Sequence, residues 1–291
     1  MKKSSAYLLI IISSFMFGTS GIFVRVLKPY GFSSMQMTAM RGVISALALC
    51  LFVLFTNKKL FKTDFKHLCL FILSGVFMFL AAFFYYTAMG HTTIATAVVL
   101  MYSAPIYVLL FSVLFFKEKL TALKAVAVAL MLVGMALVSG IVGGLDFAFL
   151  GVIFALAAGV AYAAYSIVAK LEMRQGNDPL TAMVYCYITM GVLAASCANV
   201  PEMVKLTVQA PPHVWLLIPG IGLCTCAVPY LMYTVSLKAV PAGTASALSL
   251  LEPMAAIVYS IVFFGETPTI PAIIGIVLIF GAVFLISRIK E

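Results

Sequence analysis

Glu252 stands in the run LSLLEPMAAIVY, residues 248–259, where a carboxylate and a proline interrupt an otherwise apolar stretch. The stretch opens near Ala242, which puts the carboxylate about 15 Å along a helix and close to the middle of a hydrocarbon core. An ionised carboxylate at that depth costs several kcal/mol unless it is paired, protonated or facing water, so such groups normally face the interior of a bundle. Ala245, Ser249, Ala256 and Tyr259 share its helical face and are small or polar. Three readings fit: a proton-carrying group, a counter-charge for a cation, or a structural partner of Arg41. The other acidic residues fall in connections or at the ends of apolar runs.

Arg41 is the one basic residue deep in an apolar run, about 12 Å from its nearer end, at a depth similar to that of Glu252. It reads as an anchor or as a ligand contact. Pro105 and Pro253 each remove a backbone hydrogen bond and crowd the carbonyl four residues back, at Met101 and Ser249. In lipid such carbonyls need another partner, so the two kinks belong beside a cavity or a neighbouring helix. Tyr85, Tyr102, Tyr107, Tyr162, Tyr230 and Tyr233 place hydroxyls and ring faces in the apolar runs. Ser103 and Tyr107, four apart, share a face with Thr96 and suit a polar lining; such rings could stack on a flat or cationic ligand, or simply pack. The six cysteines read as small buried hydrophobes, since Cys224 and Cys226, two apart, point to different helix faces. No metal or cofactor is expected. There is no phosphate-binding loop, no His-Glu-x-x-His and no soluble segment able to hold an ATPase.

The elements that must carry these groups follow from composition. Of 291 residues, 64% are hydrophobic and 9% charged, which excludes a water-soluble domain. Ten runs long enough to span a bilayer are predicted at 6–27, 33–55, 67–89, 93–116, 121–140, 148–170, 180–199, 213–238, 242–264 and 270–287. The lipid bilayer is therefore one partner, and the first run reads as a retained helix. With both termini in the cytoplasm, the basic residues at 2–3, 58–66, 117–124, 170–174, 238 and 288–290 all fall on the cytoplasmic side. Arg25, Lys28 and Lys205 fall near the other. This asymmetry accounts for the charge of +9 without a nucleic-acid partner.

Shifting the chain by 148 residues overlays 85–139 on 233–287 without a gap. The shift pairs Tyr85 with Tyr233, Thr96 with Thr244, Pro105 with Pro253, Phe115-Phe116 with Phe263-Phe264 and Glu118 with Glu266. A weaker shift of 145 pairs Phe17-Gly18-Thr19 with Tyr162-Ala163-Ala164 and Arg41 with Cys186. Each half then carries five helices, an odd number, so the second half is upside down relative to the first. The fold class expected is all-α integral membrane, ten helices in two inverted five-helix repeats, 1–142 and 146–291. Carriers built this way bind substrate at the repeat interface. Tyr85 and Tyr233 then sit at opposite ends of a passage, where they could close it in turn or belong to the interfacial aromatic belts.

The chain resembles the EamA-type branch of the drug/metabolite transporter superfamily over essentially its whole length. The resemblance rests on FMFGTSGIFVR (15–25), MTAMRGVISAL (37–47), SAPIYVLLFSVLFFKEKLT (103–121) and LEPMAAIVYSIVFFGETPT (251–269). It implies a central cavity among helices one, three, four, six, eight and nine, with five and ten bracing the outside. It also implies a secondary transporter of the cytoplasmic membrane moving a small polar metabolite, an amino acid or a drug-like amine. Protons would be the coupling ion and Glu252 the leading coupling or binding group. The resemblance leans toward export; choline-type uptake and a passive channel are the alternatives.

Overall fold

Apolar runs can satisfy their backbone N–H and C=O groups within lipid only as helices or closed barrels. The computed structural model describes residues 3–92, 94–118, 120–138, 149–265, 267 and 269–287, and these form helices joined by short links. The ten crossings are, in order, α1 (Lys3–Gly18) with α2 (Ser20–Leu27), α3 (Ser34–Thr56), α4 (Phe65–Met89), α5 (Ile94–Met101) with α6 (Ala104–Phe116), and α7 (Ala122–Val138). The second half repeats the plan with α8 (Phe149–Arg174), α9 (Pro179–Cys197), α11 (Pro212–Gly222) with α12 (Val228–Ser236), α13 (Ala242–Leu248) with α14 (Leu251–Phe264), and α15 (Ile270–Ser287). Eight crossings are long apolar spans and two, α7 and α15, are shorter.

Most boundaries fall within a few residues of those expected. The link read at 200–212 instead contains a short amphipathic helix, α10 (Val200–Gln209), capped by Asn199. α8 runs a turn beyond its expected end at 170. The division between the repeats, and Glu266, lie outside the described residues.

Local signals set several ends. Ser33 and Gln36 form a reciprocal capping box at the start of α3, with Gln36 N–H donating to Ser33 Oγ at 3.2 Å and Ser33 N–H to Gln36 Oε1 at 2.8 Å. Lys117 and Gly265, repeat partners at the 148-residue shift, end α6 and α14 in the same left-handed conformation, φ 54° and 66°. The turn is shared, but only glycine adopts it without steric cost.

Four crossings are broken near their middles, at Thr19, at Tyr102–Ser103, at Ser249–Leu250 and through a π-helical turn, Leu223–Ala227, between α11 and α12. Pro105, Pro253 and Pro229 each stand in the first turn of the segment after a break. The carbonyl that Pro253 displaces, on Ser249, accepts the Glu252 N–H at 2.9 Å.

Packing follows the inverted symmetry. α1 lies on α12 and α14 of the second half, while α8 lies on α4, α5 and α6 of the first; α3 pairs with α9, and α7 with α15. The last two pairs meet at glycines. A methyl on Gly42 would come within 2.8 Å of the Gly191 Cα, and one on Gly134 within 2.7 Å of the Gly275 carbonyl oxygen. Lipid gives no solvophobic drive between helices, so close van der Waals approach of this kind holds the bundle together.

Candidate functional site

The broken spans surround a cavity of about 390 Å³. It extends from the middle of the bundle to Lys28, Ser34 and Met89, at the links α2–α3 and α4–α5. These links belong to the end of the bundle remote from the termini, here the distal end; the opposite, terminal end carries the links α3–α4, α6–α7, α8–α9 and α12–α13.

Arg41 on α3 and Glu252 on α14 both line the cavity, as do Tyr85, Tyr102, Pro105, Tyr162, Tyr230 and Ser249. Arg41 owes its position to the π turn. Pro229 has no N–H for the Thr225 carbonyl four residues back, and that carbonyl accepts Arg41 Nη2–H at 3.2 Å, while Arg41 Nε–H donates to Cys226 Sγ at 3.2 Å. These two bonds use only part of the five N–H donors of a guanidinium, so the group keeps donors for a ligand. Glu252 is half-buried, with the Tyr102 hydroxyl as its polar neighbour and Arg41 acting on it from further away. Among the described residues no ion pair within 4.0 Å joins Arg41 to Glu252, so the salt bridge considered from the sequence does not form. The cavity therefore holds one guanidinium and one carboxyl group with no ion pair between them, in walls otherwise rich in apolar and aromatic groups.

An aromatic cluster forms the floor. The Tyr230 ring meets Phe17 at 4.5 Å between centroids, Tyr165 at 5.8 Å and Tyr187 at 6.2 Å, all edge to face. Such contacts contribute about 0.5–1.5 kcal/mol each beyond area burial.

Not every candidate reaches the cavity. Tyr233 is fully buried and donates from its hydroxyl to Ser166 Oγ at 3.3 Å. Ser103 donates to the Leu100 carbonyl, and Tyr107 and Ser103 pack against Gly159 of α8. The break at 102–103 ends the helical register that placed Thr96, Ser103 and Tyr107 on one face. Pro253 is buried and is not among the lining residues.

The structure adds residues that sequence reasoning passed over. Thr38, three before Arg41, and Ser246, three before Ser249, line the cavity on the same faces as those partners. Ser246 Oγ is buried with no hydrogen-bond partner among the described residues. Cys226, expected to be a small core residue, is buried but also lines the site and binds Arg41. Spans two and seven join the wall through Arg41 and Met190, beyond the six helices expected, and α7 and α15 contribute no lining residue.

At the terminal end, links are tied to neighbouring helices. Lys170 Nζ donates to the carbonyls of Leu237 at 2.6 Å and Val240 at 2.7 Å, fastening α8 to the α12–α13 link. Tyr185 and Thr181 of α9 donate to the Phe61 and Leu60 carbonyls, at 2.6 and 2.9 Å. Lys124 pairs with Glu118 at 3.8 Å, which agrees with a structural part for that glutamate.

The sequence model of the EamA-like transporter family matches residues 4–140 and 149–288, one match per repeat. The chain belongs to the EamA-like transporter family. It is thus a membrane transporter of the drug/metabolite transporter superfamily and not an enzyme. An uncharacterized transporter of Archaeoglobus fulgidus is 30% identical over 282 residues, covering 96% of this chain and 95% of that one. The chloramphenicol-sensitive protein RarD of Pseudomonas aeruginosa is 25% identical over 268 residues, 89% of this chain and 85% of its own. One crystal structure superposes with a TM-score of 0.81 at 18% identity, covering 98% of both chains, so the two share this all-helical fold.

Proposed function

We propose that this EamA protein is a secondary carrier moving a small zwitterion of the amino-acid type across the cytoplasmic membrane by alternating access, in the direction of export. A cavity of about 390 Å³ lies in the range typical of small-ligand sites. Arg41 suits a substrate carboxylate, since a guanidinium fork matches its two oxygens. Glu252 suits the ammonium group, and its protonation would couple the cycle to a proton gradient. Tyr85, Tyr102 and Tyr162 offer ring faces to the rest of the substrate. The basic residues at the terminal links favour a cytoplasmic terminal end, so this conformation would face outward.

The observation that carries the reading is the unequal state of equivalent residues: Tyr85 lines the open cavity while its repeat partner Tyr233 is sealed at the other end. Exchanging the conformations of the two repeats would close the first and open the second. Counterflow in proteoliposomes tests this. Vesicles preloaded with unlabelled leucine, phenylalanine, threonine or choline are given the labelled compound outside. Trans-stimulation by at least one amino acid is expected. Influx equal in loaded and empty vesicles for every amino acid contradicts a carrier, and stimulation by choline alone contradicts the zwitterion.

A further inference from the structure

Glu172 is an acidic group that the cavity does not use. Its place near the end of α8 reads in the sequence as the edge of a span, yet it is fully buried, and neither carboxyl oxygen has a hydrogen-bond partner among the described residues. α8 continues past it to Arg174, sandwiching it against α4 and α9. From α4 it is faced by Ser74, whose hydroxyl donates to the Phe71 carbonyl at 2.9 Å, and from α9 by Cys186. Lys170, on its own helix, fastens the 237–240 link, and Arg174 lies over the Phe116 ring at 4.5 Å. On neighbouring links Lys58, Lys59, Lys62 and Asp178 are exposed.

Its surroundings share the pattern. Cys186 also neighbours Tyr165 and Tyr187 below the cavity floor; the Tyr187 hydroxyl is buried without a partner among the described residues, and Tyr165 has Thr234 as its polar neighbour. A buried polar group left without a partner destabilises the packing around it, and an unpaired ionised carboxylate does so more. These costs are removed if water reaches the region in another conformation. Cys186 is, moreover, the repeat partner of Arg41 at the 145-residue shift. The terminal half thus carries an acid beside the position where the distal half carries its cavity arginine.

We propose that Glu172 is a second proton site of the carrier, sealed in this conformation and exposed to water at the terminal end when that end opens. This rests on the carrier reading and deepens it. On opening, the carboxyl O–H bond breaks, the proton passes to water on the terminal side and the carboxylate keeps the bonding pair; resealing requires a proton to return. A metal ion is a poorer occupant. Hard cations such as Ca²⁺ take about six to eight oxygen ligands, and no cluster of three or more His, Cys, Asp or Glu occurs among the described residues.

Dicyclohexylcarbodiimide, which reacts with protonated carboxyls in apolar surroundings, supplies the test. The full-length protein is reconstituted in phosphatidylethanolamine–phosphatidylglycerol vesicles of known orientation, treated with the reagent and mapped by mass spectrometry. The adduct is expected at Glu172. Its yield should fall about tenfold per pH unit once the pH on the terminal side passes the titration point, whatever the pH on the distal side. Absence of an adduct at acid pH, a yield indifferent to terminal-side pH, or one that follows the distal side overturns the proposal. Glu172→Gln should remove this adduct and keep any at Glu252. A protein that fails counterflow but titrates in this way contradicts the carrier alone; counterflow with an indifferent Glu172 contradicts the second site alone.

Discussion

Tyr85 and Tyr233 occupy the same place in two copies of one helix plan, and their surroundings differ completely. Around Tyr85 the distal half is open: Arg41, Tyr102 and Glu252 line a shared cavity. Around Tyr233 the terminal half is packed, with Ser166 bound to its hydroxyl and Lys170 fastening the link beyond it. The same fold element therefore exists in two packings within one molecule. Two packings of similar energy are what a bistable device requires, because packed interfaces switch rather than deform continuously. The helix pairs that the symmetry maps onto each other, α3 with α9 and α7 with α15, meet at glycines.

The halves also differ in charge, and the largest expected effect lies there. Glu252→Gln removes the one carboxylate that lines the cavity among the described residues, and pH-gradient-driven accumulation should be abolished with protein still in the membrane; undiminished accumulation would remove Glu252 from the coupling scheme. Arg41→Ala deletes a charged hydrogen-bonding group, worth about 1.5–3 kcal/mol. Substrate affinity measured by isothermal titration should then weaken about tenfold to a hundredfold, and an unchanged affinity would assign Arg41 to anchoring alone.

A smaller effect is expected from loosening the closed half. Lys170→Met frees the Leu237 and Val240 carbonyls from the α8 latch, and a cysteine at 233 should then react about tenfold faster with a maleimide from the terminal side. No change would mean that the latch does not hold this end shut. The smallest concerns the turn the repeats share. Lys117→Gly should raise stability by about 1 kcal/mol at most, the roughly 1–2 kcal/mol cost of a left-handed non-glycine residue less the roughly 0.4–1 kcal/mol of unfolded-state entropy that glycine adds, read as a higher midpoint of thermal unfolding in detergent. A lower midpoint would show that the lysine side chain, not its backbone strain, matters there.

How far the molecule could be read from its residues depended on range. Spans were legible because length and apolarity alone decide them, and the inverted plan followed from a repeat with an odd number of helices. Glu252 was legible because a charge amid apolar residues is conspicuous. Arg41's anchor was not: it depends on Pro229 releasing the Thr225 carbonyl one span away, a signal present in the sequence but meaningful only once α3 lies against the π turn. Ser103 and Tyr107 misled because a break cancels the periodicity used to place them. Glu172 escaped notice because distance from a helix end measures depth in lipid, whereas its burial comes from α4 and α9 on either side. α10 was missed because most of its residues are exposed and none is buried, which reads as a polar link.

In alternating access the two halves exchange states. The exchange is tested most directly by single cysteines at Tyr85 and Tyr233, on a background with the six native cysteines replaced, labelled with a membrane-impermeant maleimide applied in turn to each side. Without substrate, position 85 should react from the distal side and position 233 from neither. Under exchange of an amino acid that gives counterflow, reactivity at 85 should fall as reactivity at 233 rises from the terminal side. Reactivities that rise together, or a position 233 that stays sealed while exchange proceeds, would contradict alternating access in this protein.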